Sequence, residues 1–482
     1  MNHRMERFKP SLIFTSLILI GIACLSIYAL TKYSGNGYIY VLFTIISTLL
    51  LYFGFRKDAI FFDTFIGVFL WLGFWLKLTV RVAFMDGEFH EAVGNFNGSS
   101  AEFDRALLVT SCAFFGLIVA SMIRERFLFS YPKNILTENQ QGLVRFYRNN
   151  RMILLISFVI LIVTVAVTNA YFVIYQRGTI PLTILPYGLS GVYKWLLMFG
   201  LATLSAIMLK FEMELTNKPS YLAVMLSFVE SLLSNISLLS RGMVLNVGAL
   251  MYGMIRSMKL HEMEVKVRFI LISMVVFIIL FGSSVFAVNY MRASSFYDDT
   301  ELLNDNSHLL KRTGHSTQPL FLDRWVGIEG VMAVSSYTKL GWGLWEKAWK
   351  ESYSENETSF YDNNIITSPY IKTDKSVHHF ISLPGVVAFC FYPGSFMFLF
   401  GSMFLVGIMA SVIEMATFKL GGKNIILCSL LAQVIAFRFA SFGYVPAQSY
   451  LLFGSIFLNI IIIFVADKLL IYYSNRKEMT SL

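Results

Sequence analysis

The sequence predicts an all-α polytopic membrane protein of about twelve transmembrane helices, with a large, partly helical outer loop between helices nine and ten. Three observations predict it. The chain of 482 residues is 56% hydrophobic and only 14% charged, whereas soluble domains carry about 25% charged residues. Its mean hydropathy is +0.63. Apolar stretches of roughly 20 residues, the length that spans a bilayer as a helix, recur along the whole chain.

The expected spans start near Ser11, Gly37, Ala59, Arg105, Met152, Gly191, Ser220, Gly242, Phe269, Gly394, Asn424 and Ser449. The first follows Arg4, Arg7 and Lys9 and has no small-residue cleavage site, so it reads as a retained helix rather than a signal peptide. An even number of spans puts both termini on one side. Lys and Arg crowd that side in "RERFLFSYPKNILTENQQGLVRFYRNNR", "RSMKLHEMEVKVR" and the tail "SNRKEM". By the positive-inside rule both termini are then cytoplasmic. The chain divides into helices one to nine over 1–288, an outer loop over 289–379, and a re-entrant piece with the last three helices over 380–482. Pro384, Gly385, Pro393 and Gly394 break the start of that last part. Within the loop, Trp342, Trp345 and Trp349 recur at helical spacing. Such a helix either lies on the membrane face or packs on the protein.

The run from Tyr221 to Ile255 carries two formal charges, Glu230 and Arg241. It is too long for one span and long enough for two short ones. A turn at "SLLSRG" places Arg241 at the outer end of a helical hairpin, where an arginine reaches the interface, and leaves Glu230 deep. Other cations collect on the same outer side: Lys77 and Arg81, which share a helix face, then Arg177, Arg292, Arg324 and Arg438. Each alone reads as an anchor or half of an ion pair. Together, where the positive-inside rule expects depletion, they point to an anionic ligand. Guanidinium forks match phosphate oxygens bidentately.

Candidate proton acceptors are His378, beside His379 at the end of the loop, and Glu329, with Asp323 as a third. The acidic segments with Asp86, Glu88, His90 and Glu91, and with Asp298, Asp299, Glu301 and Asp305, offer oxygen ligands without a metal-ligand spacing. Solvated loops are the expectation there, and no metal and no cofactor is expected. Phosphate-loop, zinc-protease and dinucleotide-binding patterns are missing. The four cysteines, Cys24, Cys112, Cys390 and Cys428, fall in apolar segments and make no disulfide framework. The basic excess belongs to membrane topology, so no nucleic-acid partner is expected.

At this point the sequence resembles the bacterial O-antigen polymerase (Wzy) family, which is related to the O-antigen ligases. "LLSRGMVLNVGALMYG" looks like the Ser-Arg-Gly helix start of such enzymes. "HHFISLPGVVAFCFYPGSFMFLFGSMFLVGI" looks like their segment after the long loop, and Arg324 to Gly341 is loosely similar to an Arg-to-Gly loop pattern. The resemblance implies a glycosyltransferase at the periplasmic face of the inner membrane. Its substrates would be undecaprenyl-diphosphate-linked oligosaccharides, held among membrane lipids, with a chain-length co-polymerase as partner. It implies that Arg241 and Arg324 hold the diphosphate, that Lys77, Arg81, Arg292 and Arg438 line the same cavity, and that His378, or else Glu329, is the base. A ligase transferring the same donor to lipid A-core stays open as an alternative, as does a lipid-linked oligosaccharide flippase.

Overall fold

The computed structural model describes residues 10–89, 91–134, 142–263, 266–296, 324–354, 357–368, 371 and 379–479. Helices occur at each expected span: α1 (Pro10–Lys32), α2 (Gly37–Phe55), α3 (Phe61–Phe84), α4 (Ser100–Phe127), α5 (Gly142–Phe172), α6 (Pro186–Thr216), α7 (Tyr221–Ser237), α8 (Val244–Leu260) and α9 (Val267–Phe296). Three short helices follow: α10 (Ile328–Ser335), α11 (Trp342–Trp349) and α12 (Gly385–Cys390). The chain ends in α13 (Phe396–Leu420), α14 (Ile425–Ala440) and α15 (Ser449–Met479). Among the described residues there is no strand. Among the described residues, eight helices are long and apolar enough to cross a membrane, and Ser16–Lys32, α7 and α14 are shorter apolar helices. The protein is therefore a multi-pass membrane protein by the length and composition of its helices. Arg256 and Lys259, near the end of α8, interrupt the apolar character of that helix.

Local chemistry fixes the helix starts. Asn36 accepts from Tyr38 N (2.9 Å), and Asn424 accepts from Ile426 N and Leu427 N (3.0 and 3.1 Å). Each thereby satisfies donors that a helix leaves open. Glu414 does the same for α3 from across the bundle, accepting from Phe61 N (2.8 Å) and Phe62 N (2.9 Å). That end of the bundle also holds the buried Arg124–Asp63 pair, 2.7 Å apart.

Burial separates core helices from lipid-facing ones. The apolar windows of α3 and α4 are 67% buried, those of α9 and α15 only 17%. The centre packs through small residues, as apolar helices must when burial against lipid gains nothing. A Cβ at Gly116 would fall 2.8 Å from the Phe400 carbonyl oxygen, and one at Gly407 would fall 2.6 Å from Ala120 Cβ.

The segment between α9 and α13 contributes to this core. All eight residues of α10 are buried. They sit against a π-turn, Trp71–Leu76, in the middle of α3. Gly73 of that turn meets Gly327 backbone to backbone, with no room for a Cβ on either. Gly330 is likewise pressed on the Pro384 carbonyl. The 380–482 part begins with α12, a six-residue buried helix. Gly385 starts it at φ +81°, with its N–H donated to Phe442 O at 2.9 Å. That left-handed backbone is open to glycine at little cost.

Candidate arginine-lined site

The turn between α7 and α8 is built from its own polar residues. Ser240 N donates to Asn235 O (2.9 Å), and Met243 N donates to Asn235 Oδ1 (3.0 Å). Ser231 Oγ donates to Met243 O (3.0 Å), and Gly242 N donates to Ser240 Oγ (3.2 Å). Leu239 takes a positive φ of 48° to close the turn. Arg241 lies in this turn, at the end of the hairpin.

A second loop, after α5, is laced to the first. Asn169, fully buried, donates Nδ2 to Ser237 O (3.0 Å), Ser237 Oγ (2.8 Å) and Tyr175 O (3.0 Å), and its Oδ1 accepts from Tyr175 N (2.9 Å). Two residues on, Arg177 N donates to Leu238 O (2.9 Å). Both loops are thus held in one register, and each presents an arginine.

The arginines meet at a cavity of about 250 Å³. Arg177, Ser240, Arg241 and Arg324 line it, with Trp325, Val326, Leu383, Phe69, Phe437, Ala440 and Ser441. Phe69, stacked on Trp325 at 5.7 Å and edge-on to Phe437 at 5.9 Å, forms an aromatic wall. Three guanidinium groups stand against it. A side chain at Gly242 would meet Arg177 Nη1 at 3.6 Å and Arg324 Nη2 at 3.9 Å, so these two reach one spot. No carboxylate is among the described residues that line the cavity. Arg241 makes no hydrogen bond or ion pair among the described residues, and its Nε is buried without a partner. Burial pushes its pKa down from the ordinary value, yet an arginine stays charged. Like charges repel by roughly 4 kcal/mol at 4 Å near a protein surface. An anion with several oxygens, such as a phosphate or diphosphate, would meet the buried Arg241 donor and suit a cavity lined by three like charges.

The other expected site residues lie elsewhere. Lys77, 1% exposed, pairs with Glu329 Oε1 at 2.8 Å and donates to Trp325 O at 2.6 Å. It supports the cavity wall from behind and does not line it. Glu329 is 5% exposed and faces Lys77; burial pushes its pKa up, opposed by Lys77. Arg81 is buried and donates to Glu88 O at 3.2 Å. Arg438 donates to Ser449 Oγ (3.0 Å) and Tyr444 O (3.5 Å), one helical turn from the lining residues Ala440 and Ser441. So the expectation that Lys77, Arg81 and Arg438 line the arginine cavity does not describe their placement: each is drawn to a nearer oxygen. Arg292 lies on α9, and its side chain falls outside the described residues. His378, Asp323, His90, Asp298, Asp299, Glu301 and Asp305 also lie outside them. Glu230 is buried on α7, with Oε1 accepting from Ser234 Oγ at 2.9 Å. Asp86 reaches Lys32 at 4.0 Å on an exposed surface.

Beside the cavity is a polar cluster that includes the described histidine. His379 N donates to Gly178 O (3.2 Å), next to Arg177, and its Nε2 shares a hydrogen bond with Tyr444 Oη (2.9 Å). Glu351 accepts from Val445 N at 2.9 Å and from Phe360 N. Burial raises the Glu351 pKa.

The sequence names Arg177 among the outer cations but does not place it with Arg241 and Arg324, and it gives Asn169 no role. The only signal for either is a polar residue near the end of an apolar helix. No protein-family model, curated protein or solved structure matches the chain.

Proposed function

We propose that this chain is an O-antigen polymerase: a glycosyltransferase that joins undecaprenyl-diphosphate-linked oligosaccharide repeat units at the periplasmic face of the bacterial inner membrane. One observation carries the reading. Arg177, Arg241 and Arg324 converge on a cavity with no lining carboxylate among the described residues, and among those residues Arg241 makes no hydrogen bond or ion pair. On this reading twelve helices cross the membrane, both termini are cytoplasmic, and the cavity lies toward the periplasmic end.

The chemistry follows from charge. The acceptor hydroxyl of one lipid-linked unit attacks the anomeric carbon of the growing chain. The carbon–oxygen bond to the diphosphate breaks, and undecaprenyl diphosphate leaves with the electron pair. Three guanidinium groups fixed before the reaction stabilise charge growing on that leaving group. The hydroxyl proton goes to a base. His378 is the proposed acceptor, with Glu329, which faces Lys77, as the alternative. The aromatic wall of Phe69, Trp325 and Phe437 keeps one side of the diphosphate dry, which strengthens each arginine contact.

Deleting the gene and resolving the lipopolysaccharide on a gel tests this. Core carrying a single repeat unit is the expected result. Bare core with lipid-linked polymer accumulating would make the protein a ligase, and bare core without polymer a flippase. A full ladder in the deletion strain ends the O-antigen reading.

A further inference from the structure

The tryptophan helix α11 is not used by the cavity, yet it leads there. Trp342, Trp345 and Trp349 lie along one face, with ring centroids 6.1 and 5.4 Å apart. Trp342 is 58% exposed and Trp349 40%. One turn further, Tyr353 is 46% exposed, and its ring lies 5.4 Å from that of His379. His379 in turn lies 5.7 Å from the ring of Tyr444. Glu351, between Trp349 and Tyr353, is tied to Val445 N, and His379 N to Gly178 O beside Arg177. The aromatic row is therefore fastened at both points to the rim of the arginine cavity.

We propose that this row is a glycan-binding track, along which the sugar chain attached to the bound diphosphate lies. The proposal rests on the glycosyl-transfer reading above. The C–H face of a pyranose carries positive partial charge and stacks on the negative face of an aromatic ring. Its hydroxyls need hydrogen-bonding groups between the rings. Glu346 and Lys350 supply them: they share the helix face with Trp342 and Trp349, pair at 2.6 Å and stay 61% and 72% exposed. The same pair argues against a bilayer as the occupant, because sinking this face into lipid would take an ion pair out of water along with the tryptophans. Tyr353 and the Tyr444 hydroxyl continue the alternation of ring and donor toward the cavity.

The test uses the full-length protein in detergent. The probes are polysaccharide released by mild acid from the lipopolysaccharide of the cells that make it, and undecaprenyl diphosphate. Wild type is expected to bind both. Trp349→Ala and Tyr353→Ala are each expected to weaken polysaccharide binding roughly tenfold, the worth of one stacked ring, while leaving undecaprenyl diphosphate binding unchanged. Trp349→Phe, which keeps a ring, should restore most of the loss and guards against misfolding. Undecaprenyl diphosphate binding without polysaccharide binding, or polysaccharide binding indifferent to both alanine variants, overturns the track. A second measurement places the protein in phosphatidylethanolamine–phosphatidylglycerol vesicles with brominated acyl chains. Quenching that disappears in a Trp342→Phe, Trp349→Phe double variant would assign the row to the bilayer and overturn the track as well. If wild type binds neither probe, the glycosyl-transfer reading falls with it.

Discussion

Lys77 Nζ and Glu329 Oε1 stand 2.8 Å apart, joining α3 to the segment that walls the arginine cavity. Both side chains are almost fully buried. Breaking such a pair from one side leaves a charge stranded in a dry interior, at a cost of about 3–5 kcal/mol. Lys77→Met alone or Glu329→Met alone is therefore expected to lower the melting temperature sharply in detergent. The double replacement should recover most of the loss. If Glu329→Gln kept full stability but abolished transfer, Glu329 would be a base after all.

Arg241→Ala is expected to cut transfer by roughly 10²–10³, the range for removing one preorganised donor to a developing anion, with little change in melting temperature. Arg241→Lys keeps the charge and loses the fork, so it should fall between the two. A purified assay of donor consumption measures this. Full activity in Arg241→Lys would reduce Arg241 to a general positive charge.

Asn169 does not line the cavity; it positions two loops that do. Asn169→Ala removes its bonds to Ser237 and Tyr175, each worth about 1 kcal/mol. The Arg177 and Arg241 loops should then lose their common register. We expect KM for the lipid-linked donor to rise roughly tenfold, more than kcat falls, with the helical circular dichroism retained. A uniform loss of folded protein, with unchanged KM in the remainder, would make Asn169 structural only.

Glu351 should leave a signature in the pH dependence of stability. Its folded pKa is raised by burial, so the folded state holds the proton more tightly than the unfolded chain. The destabilisation is fully present above the folded pKa. It fades as pH falls through that value and is gone below the ordinary carboxylate range. Stability on the acid side of neutrality should therefore rise as pH drops, until other groups protonate. Glu351→Gln should flatten that rise. Melting curves of both proteins over the same pH series measure it, and parallel curves would exclude the assignment.

The helices were readable because length and apolarity alone specify them. The turn at Arg241 was readable for a related reason: a charge with serines and a glycine inside an overlong apolar run leaves few other places to reverse. The burial of α10 was not readable. "IEGVMAVS" is far too short to span a membrane and sits in a polar loop, and long-range contacts draw it inside: the close approach of Gly73 to Gly327 and of Gly330 to Pro384, and the Lys77–Glu329 pair. The cation cluster was readable as a side of the membrane, not as a site. Whether Lys77 faces an anionic ligand or Glu329 depends on how two distant segments dock. Arg177, Arg241 and Arg324 come from three separate loops, so no spacing in the chain announces their meeting.

The backbone contact at Gly73 and Gly327 has a consequence for when the cavity becomes complete. The Lys77 and Trp325 that flank it are 248 residues apart, so most of the helices emerge from the ribosome before the second glycine exists. The three-arginine cavity therefore waits for Arg324, and for the still later Leu383, Phe437, Ala440 and Ser441 that complete its wall. At full length, Gly327→Val, which places a side chain where Gly73 leaves no room, should insert without binding undecaprenyl diphosphate. During synthesis the nascent protein would thus carry an unfinished pocket that cannot trap lipid-linked sugar until translation is nearly done.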